Sequence, residues 1–212
     1  MEHKAWQVQR GQVHLLYLPG QGHVLALLQA ADDRHKLGRE NGTIRTETKK
    51  VFYMNQVFFI SDTHFGHRNI CKYRPEFQTP EEHDEYIIER WNSVLTKAKQ
   101  QVWCLGDMCI KNKYYDFHKL MDRLNGTIHV ITGNHCHLPA YGHPKIHVEG
   151  GLTKRYGFWI SHAPIHPDEL RGRRNIHGHV HYKSVADDRY INVCCENINY
   201  TPIDIDELRR HE

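Results

Sequence analysis

No apolar run in this chain comes near the roughly 20 residues needed to span a bilayer, so neither a membrane partner nor an anchor is expected. The first 20 residues mix Lys4, Arg10 and His14 with Leu15, Leu16 and Leu18. They lack both a long apolar core and a small-residue cleavage site, so no secretion signal is read there. No CxxC pair occurs among the six cysteines, so a zinc ribbon has no support. A chain of 212 residues also needs no disulfide staples, and reduced thiols in a cytoplasmic protein are expected. A basic bias is missing where it would matter. Residues 1–53 hold eight Lys/Arg against five Asp/Glu, which accounts for the whole formal charge of +3, whereas residues 54–212 hold 20 of each. The larger C-terminal part therefore carries no bulk electrostatic footprint for nucleic acid.

Histidine, by contrast, is abundant. Of 19 histidines, 15 lie after residue 53, a clustering that favours metal chemistry. Residues 1–53 read poorly as part of the same domain: a strand is expected over Val13–Leu18, a turn at Pro19-Gly20, a short helix over Val24–Ala31, and a polar stretch follows. From Met54 the pattern alternates between strands and helices. Val57–Ser61 has the continuous apolar character of a buried strand. Thr79-Pro80-Glu81-Glu82 reads as a helix start with Thr79 as cap and Glu82 as its capping-box partner, continued by Ile87, Trp91, Val94, Leu95 and Ala98. Strands are expected over Val102–Leu105 and Thr127–Thr132, with a helix between them bearing Phe117, Leu120, Met121 and Leu124 on one stripe. Further strands are expected over Leu152–Ile160, Asn175–Gly178, Tyr190–Cys194 and Thr201–Ile205, followed by a terminal helical turn. Cys194 and Cys195 are expected to be small buried hydrophobes.

Five short motifs fall at the ends of these strands: Asp62-Thr63-His64, Gly106-Asp107, Gly133-Asn134-His135, Ser161-His162 and Gly178-His179-Val180-His181. In layered α/β folds the carboxyl ends of strands are where ligands bind. Carboxylates, imidazoles and one amide make up a donor set for two adjacent divalent ions, with mixed N/O character suited to Mn²⁺, Fe or Zn²⁺. The one-residue gaps in Asp62-Thr63-His64 and His179-Val180-His181 send both side chains of each pair the same way along an extended segment.

That order of motifs resembles the calcineurin-like metallophosphoesterase superfamily, and Phe65-Gly66-His67-Arg68-Asn69 is similar to a small branch of it found in bacteria and phages. The resemblance covers residues 54–209. It implies an α/β fold, a two-layer β-sandwich flanked by helices, and a phosphoester hydrolase acting through a metal-bound hydroxide. It implies two divalent ions, Mn²⁺ first, with Fe, Zn²⁺ or Ni²⁺ as alternatives. Asp62, His64 and His181 would hold one ion, Asn134, His162 and His179 the other, and Asp107 would bridge them. His135 corresponds to the catalytic histidine, and His67 and Arg74 are substrate-phosphate candidates. The family often has an acidic residue after this histidine, and here the position is Cys136. The segment Gly106-Asp107-Met108-Cys109-Ile110 likewise lacks a further acidic residue common in the second motif.

The expected substrate is a small phosphodiester, phosphomonoester or nucleotide. A nuclease or end-processing phosphatase is the first alternative and would need a local basic groove. A non-catalytic scaffold with this fold is the second, and it would typically lack some of the ligands that are all present here. The domain is placed at residues 54–212. Met54 begins the pattern with which many members start, and a purine-rich stretch can encode Lys49-Lys50-Val51. Residues 1–53 are accordingly expected to be upstream sequence read in frame, with a genuine N-terminal arm as the competing reading.

Overall fold

The computed structural model describes residues 14–17 and 24–27, for their backbone, and residues 56–97, 99–110, 115–136 and 141–210. The chain divides into two units, residues 1–50 and 51–212. In the first, β1 (His14–Tyr17) pairs antiparallel with β2 (Val24–Leu27), with His14 opposite Leu27. The strand expected at Val13–Leu18 is thus present. Val24–Leu27 is also a strand, not the start of a helix. Four apolar residues are too few for periodicity to separate the two, and here cross-strand pairing decides. The Pro19-Gly20 turn and residues 28–31 lie outside the described residues.

The second unit has two sheets. One has five strands in the order β11-β3-β4-β5-β6: β3 (Val57–Ile60), β4 (Gln101–Cys104), β5 (Thr127–Val130) and β6 (Ile146–Val148) run parallel, and β11 (Ile203–Asp204) closes the other edge antiparallel. The other has four, in the order β10-β9-β8-β7: β7 (Leu152–Arg155), β8 (Phe158–Ser161), β9 (Asn175–His177) and β10 (Tyr190–Asn192). Only β7 and β8 are antiparallel within it.

Alternation along β3 builds two cores from one apolar run. Phe58 and Ile60 face the helical layer with Ile87, Trp91 and Met121, while Val57 and Phe59 pack with Trp103, Ile160 and Ile176 between the sheets. Both faces are covered, which is why Val-Phe-Phe-Ile shows no polar alternation.

The helical layer is α1 (Pro80–Val94) and α2 (Phe117–Arg123), and α3 (Ile205–Arg210) follows β11. Thr79 caps α1 by accepting from the Glu82 N–H at 3.1 Å, as expected. The Glu82 carboxylate, however, accepts from the Gln78 N–H at 2.7 Å, one residue earlier than a standard capping box.

Two strand expectations are corrected. Leu152–Ile160 is two strands with a hairpin between them: Tyr156 and Gly157 both have positive φ (55° and 93°), the signature of a two-residue turn that matches strand twist. The edge strand β6 was not anticipated at all. With only three residues, two of them exposed, Ile-His-Val carries no readable period.

Candidate metal centre

The site begins where β3 stops. Ser61 bridges the two sheets, its N–H donating to Val193 O at 2.9 Å and its carbonyl accepting from the Cys195 N–H at 3.1 Å. The chain then bends sharply. Asp62 and His64 have φ of 57° and 51°, Asp107 48°, His179 70° and His181 53°. Five non-glycine residues in the left-handed region, at a cost on the order of 1–3 kcal/mol each, persist only where the surroundings over-determine them. All five are candidate ligands; the other four described non-glycine residues with positive φ, Tyr156, Arg171, Asn199 and Tyr200, lie in turns.

Two glycines make room. A Cβ on Gly178 would overlap Ser61 Oγ and Asp62 Oδ2, and one on Gly133 would overlap Asp107 Oδ1. Each glycine precedes a candidate ligand, so the backbone itself forms part of the wall against which a carboxylate rests.

Asp62 is buried and its two oxygens are treated differently. Oδ2 accepts from Ser61 Oγ (2.6 Å), the His179 N–H (2.8 Å) and Cys194 Sγ (3.2 Å). Oδ1 has no hydrogen-bond partner. It faces His64 Nε2 at 3.7 Å and His181 Nε2 at 3.9 Å, while the two imidazole rings stack with centroids 5.3 Å apart. Burial, followed by the nearby Arg74 guanidinium, pushes the His64 imidazole down to about 3, so it is held in the neutral form a metal requires. His181 is tuned the other way. Its Nδ1 is 2.9 Å from Glu196 Oε1, and that hydrogen bond raises its pKa, fixes the tautomer and leaves Nε2 for the site.

A second cluster adjoins it. His162 Nδ1 donates to Leu105 O at 2.8 Å, which frees Nε2. That nitrogen lies 2.9 Å from Asn134 Oδ1, 3.1 Å from His179 Nδ1 and 3.4 Å from Asp107 Oδ2. His179 Nδ1 is also 3.1 Å from Asn134 Oδ1. Two groups of ligand atoms are compact enough to surround a cation: Asp62, His64 and His181, and Asp62, Asp107 and His162. The donor set fits divalent metal: a buried carboxylate oxygen with no partner, and lone pairs from three side chains converging on one point. All seven expected ligands are thus brought together. Asp62 is the residue common to both compact groups, whereas Asp107 was expected to bridge.

The remaining expected residues line a cleft of about 830 Å³ beside the centre. His135 is exposed on it. Its N–H donates to Asp107 Oδ1 at 2.8 Å and its ring centroid lies 6.1 Å from that of His64. His67 lies between His64 (6.1 Å) and Tyr73 (5.8 Å). Cys136 is not among the residues lining the cleft; its sulfur accepts from the Gly133 N–H (2.9 Å) and the Tyr141 hydroxyl (3.1 Å) and lies 3.9 Å from Asp107 Oδ1.

Arg74 borders the cleft but is not available to a phosphate. Its five N–H donors are matched by five contacts: Nε to Glu196 Oε1 (3.0 Å), one terminal nitrogen to Thr63 O (3.3 Å) and His83 Nε2 (2.7 Å), the other to Asp62 O (2.6 Å) and Glu196 Oε1 (2.8 Å). His83 must therefore accept on Nε2, and its Nδ1 donates to Asp84 Oδ1 at 2.8 Å. Asp84 Oδ2 accepts from the Gly66 N–H at 3.0 Å. Arg74, His83, Asp84 and Glu196 thus clamp the strained loop that carries Asp62 and His64.

Ser61, Cys194 and Glu196 are the contributors that sequence reasoning missed. Cys194 is buried as expected, but it also donates to the carboxylate of the candidate ligand Asp62. Cys194 and Glu196 carry no local signal, since they meet Asp62 and Arg74 across 132 and 122 positions of chain, whereas Ser61 is the immediate neighbour of Asp62 and could have been found from that adjacency.

Residues 56–208 match the family profile described as calcineurin-like phosphoesterase. An uncharacterized protein of the archaeon Methanocaldococcus jannaschii is 36% identical over 167 residues, covering 72% of this chain and 89% of its own length. The gene 66 protein of Mycobacterium phage L5 is 35% identical over 85 residues, 39% of this chain and 40% of that protein. Among solved structures, a protein of unknown function from Aquifex aeolicus aligns with a TM-score of 0.57 and 25% identity, covering 73% of this chain and 98% of that one.

Proposed function

We propose, given that this chain belongs to the calcineurin-like phosphoesterase family, that residues 54–212 form a hydrolase cleaving a phosphodiester or phosphomonoester with two divalent ions. Asp62, His64 and His181 would hold one ion and Asn134, His162 and His179 the other, with Asp107 as a carboxylate that could serve both. Bound there, such ions acidify a water and neutralise charge on the transferring phosphoryl group. Manganese is the first candidate for this mixed N/O donor set. The observation that carries the reading is the partnerless, buried Asp62 Oδ1 facing two imidazole nitrogens.

The chain's own residues supply the rest. Hydrolysis adds the elements of water across a P–O bond: hydroxyl goes to phosphorus and a proton to the departing oxygen. His135, exposed on the cleft and held through its backbone by Asp107, delivers that proton or stabilises the developing alkoxide. His67, which lines the same cleft, would contact the phosphate. Metal analysis of the purified chain, coupled to turnover of aryl phosphate mono- and diesters, tests the reading. About two ions per chain and metal-dependent release of aryl alcohol are expected. Activity that persists after complete chelation refutes it.

A further inference from the structure

Four large hydrophobic side chains are strongly exposed among the described residues: Tyr73, Val148, Leu152 and Tyr182. Singly exposed apolar groups are ordinary on a protein surface. These are not scattered evenly, because the two aromatic ones, 73% and 76% exposed, both line the cleft beside the metal centre. Tyr182 directly follows the ligand His181, and Tyr73 comes from the loop beyond His64. Tyr73 already stacks one face on His67 at 5.8 Å and 20°, which stiffens a ring that otherwise faces solvent.

Each tyrosine has a lysine as its sequence neighbour, Lys72 and Lys183, and both lysines line the same cleft. Neither ammonium is paired with a carboxylate among the described residues. The cleft, at about 830 Å³, lies toward the upper end of small-molecule sites and is far larger than a phosphate group requires. Aromatic faces alternating with cations beside a phosphate-processing centre form the combination that binds unpaired nucleobases and their backbone. The neutral charge of the domain as a whole does not oppose this, since Lys72 and Lys183 supply positive charge locally, at the cleft itself.

We infer that the substrate is a nucleoside phosphodiester with an unpaired base, which stacks on Tyr73 or Tyr182 while Lys72 and Lys183 hold the flanking backbone. This rests on the hydrolase reading above and assigns its substrate class. The scissile bond joins phosphorus to a sugar oxygen, and that oxygen takes up the proton as the bond breaks. The same chemistry is offered by a free dinucleotide and by the end or interior of a single strand.

The test uses the full chain with Mn²⁺ and an uncleavable methylene-phosphonate dinucleotide carrying 2-aminopurine, whose fluorescence falls on stacking. Binding with quenching is expected, weakened roughly five-fold or more by Y73A or Y182A and retained by Y73F and Y182F, which keep the ring. Because both rings are exposed, these variants fold. Cleavable dinucleotides should show the same split, with KM raised and kcat little altered. Tighter binding of an eight-nucleotide single strand than of the dinucleotide identifies a strand as the source, and equal binding identifies the free dinucleotide. Either supports the inference. It is overturned if duplex binds as well as single strand, if the alanine variants match wild type, or if aryl diesters are hydrolysed while nucleotides are neither bound nor cleaved. Ring-dependent binding without hydrolysis of any ester upholds the stacking surface and removes the hydrolase reading instead.

Discussion

Arg74→Lys keeps the charge and nearly the length of the side chain, yet should destabilise the protein by about 2–4 kcal/mol. The arginine serves four buried acceptor groups: the carbonyls of Asp62 and Thr63, His83 Nε2 and Glu196 Oε1. A single ammonium nitrogen cannot reach all four, and each buried acceptor left without a donor costs about 1–3 kcal/mol. Arg74→Ala should cost more, about 3–5 kcal/mol, because it also leaves the Glu196 carboxylate partly buried without its cation. Urea unfolding is the assay, run in excess chelator because a bound ion would add its own stabilisation. With a slope of about 2 kcal/mol per molar for a domain of this size, the lysine variant's midpoint should fall by about 1–2 M at unchanged slope. An arginine that bound substrate phosphate would behave otherwise. Stability within about 0.5 kcal/mol of wild type, together with a KM raised ten-fold, would refute the clamp.

His83 sits in the same network, where burial, with a smaller push from the Arg74 guanidinium, leaves its pKa below the ordinary 6.5 despite the Asp84 hydrogen bond and the nearby carboxylates. A depressed folded-state pKa gives stability that is present above 6.5 and lost as pH falls below it; His83→Gln should flatten that part of a stability–pH curve measured by urea midpoints. Chelation should abolish turnover, and Mn²⁺ or a related ion should restore it, as read by an aryl diester assay. Asp107→Ala should lose metal by elemental analysis, whereas His135→Ala should keep it and lose roughly 10²-fold in kcat; release of metal by His135→Ala would show that the division of roles is wrong. Gly178→Ala places a methyl group against Ser61 and Asp62, and should lower metal content although residue 178 offers no ligand atom.

The candidate ligands could be singled out because each is part of a short motif soon after a strand, and strand ends are readable from apolar runs such as Val57–Ile60. The helices were legible through the Thr79 cap and the stripe Phe117, Leu120 and Met121. What escaped depends on partners far away in the chain. Arg74 looked like a free cation on a loop, and only the folded structure brings Glu196, 122 residues on, to its guanidinium. Cys194 looked like a small hydrophobe, and nothing local announces a carboxylate 132 residues earlier. The hairpin at Tyr156-Gly157 was missed because tyrosine is an unusual first residue for a turn that needs two positive φ values.

The candidate ligands are drawn from both sheets: Asp62, His64, Asp107 and Asn134 follow strands of the five-stranded layer, while His162, His179 and His181 follow strands of the four-stranded one. Away from the Ser61 backbone hydrogen bonds and the His162–Leu105 contact, the two layers meet largely through apolar packing, which tolerates small sliding displacements of one sheet over the other. Coordination tolerates none, since a shift of half an ångström is a large fraction of a metal–ligand bond. The centre therefore acts as a vernier on the sandwich. Core substitutions between the sheets, at positions such as Trp103 or Ile160, should be felt first as altered ion affinity and only later as loss of the fold.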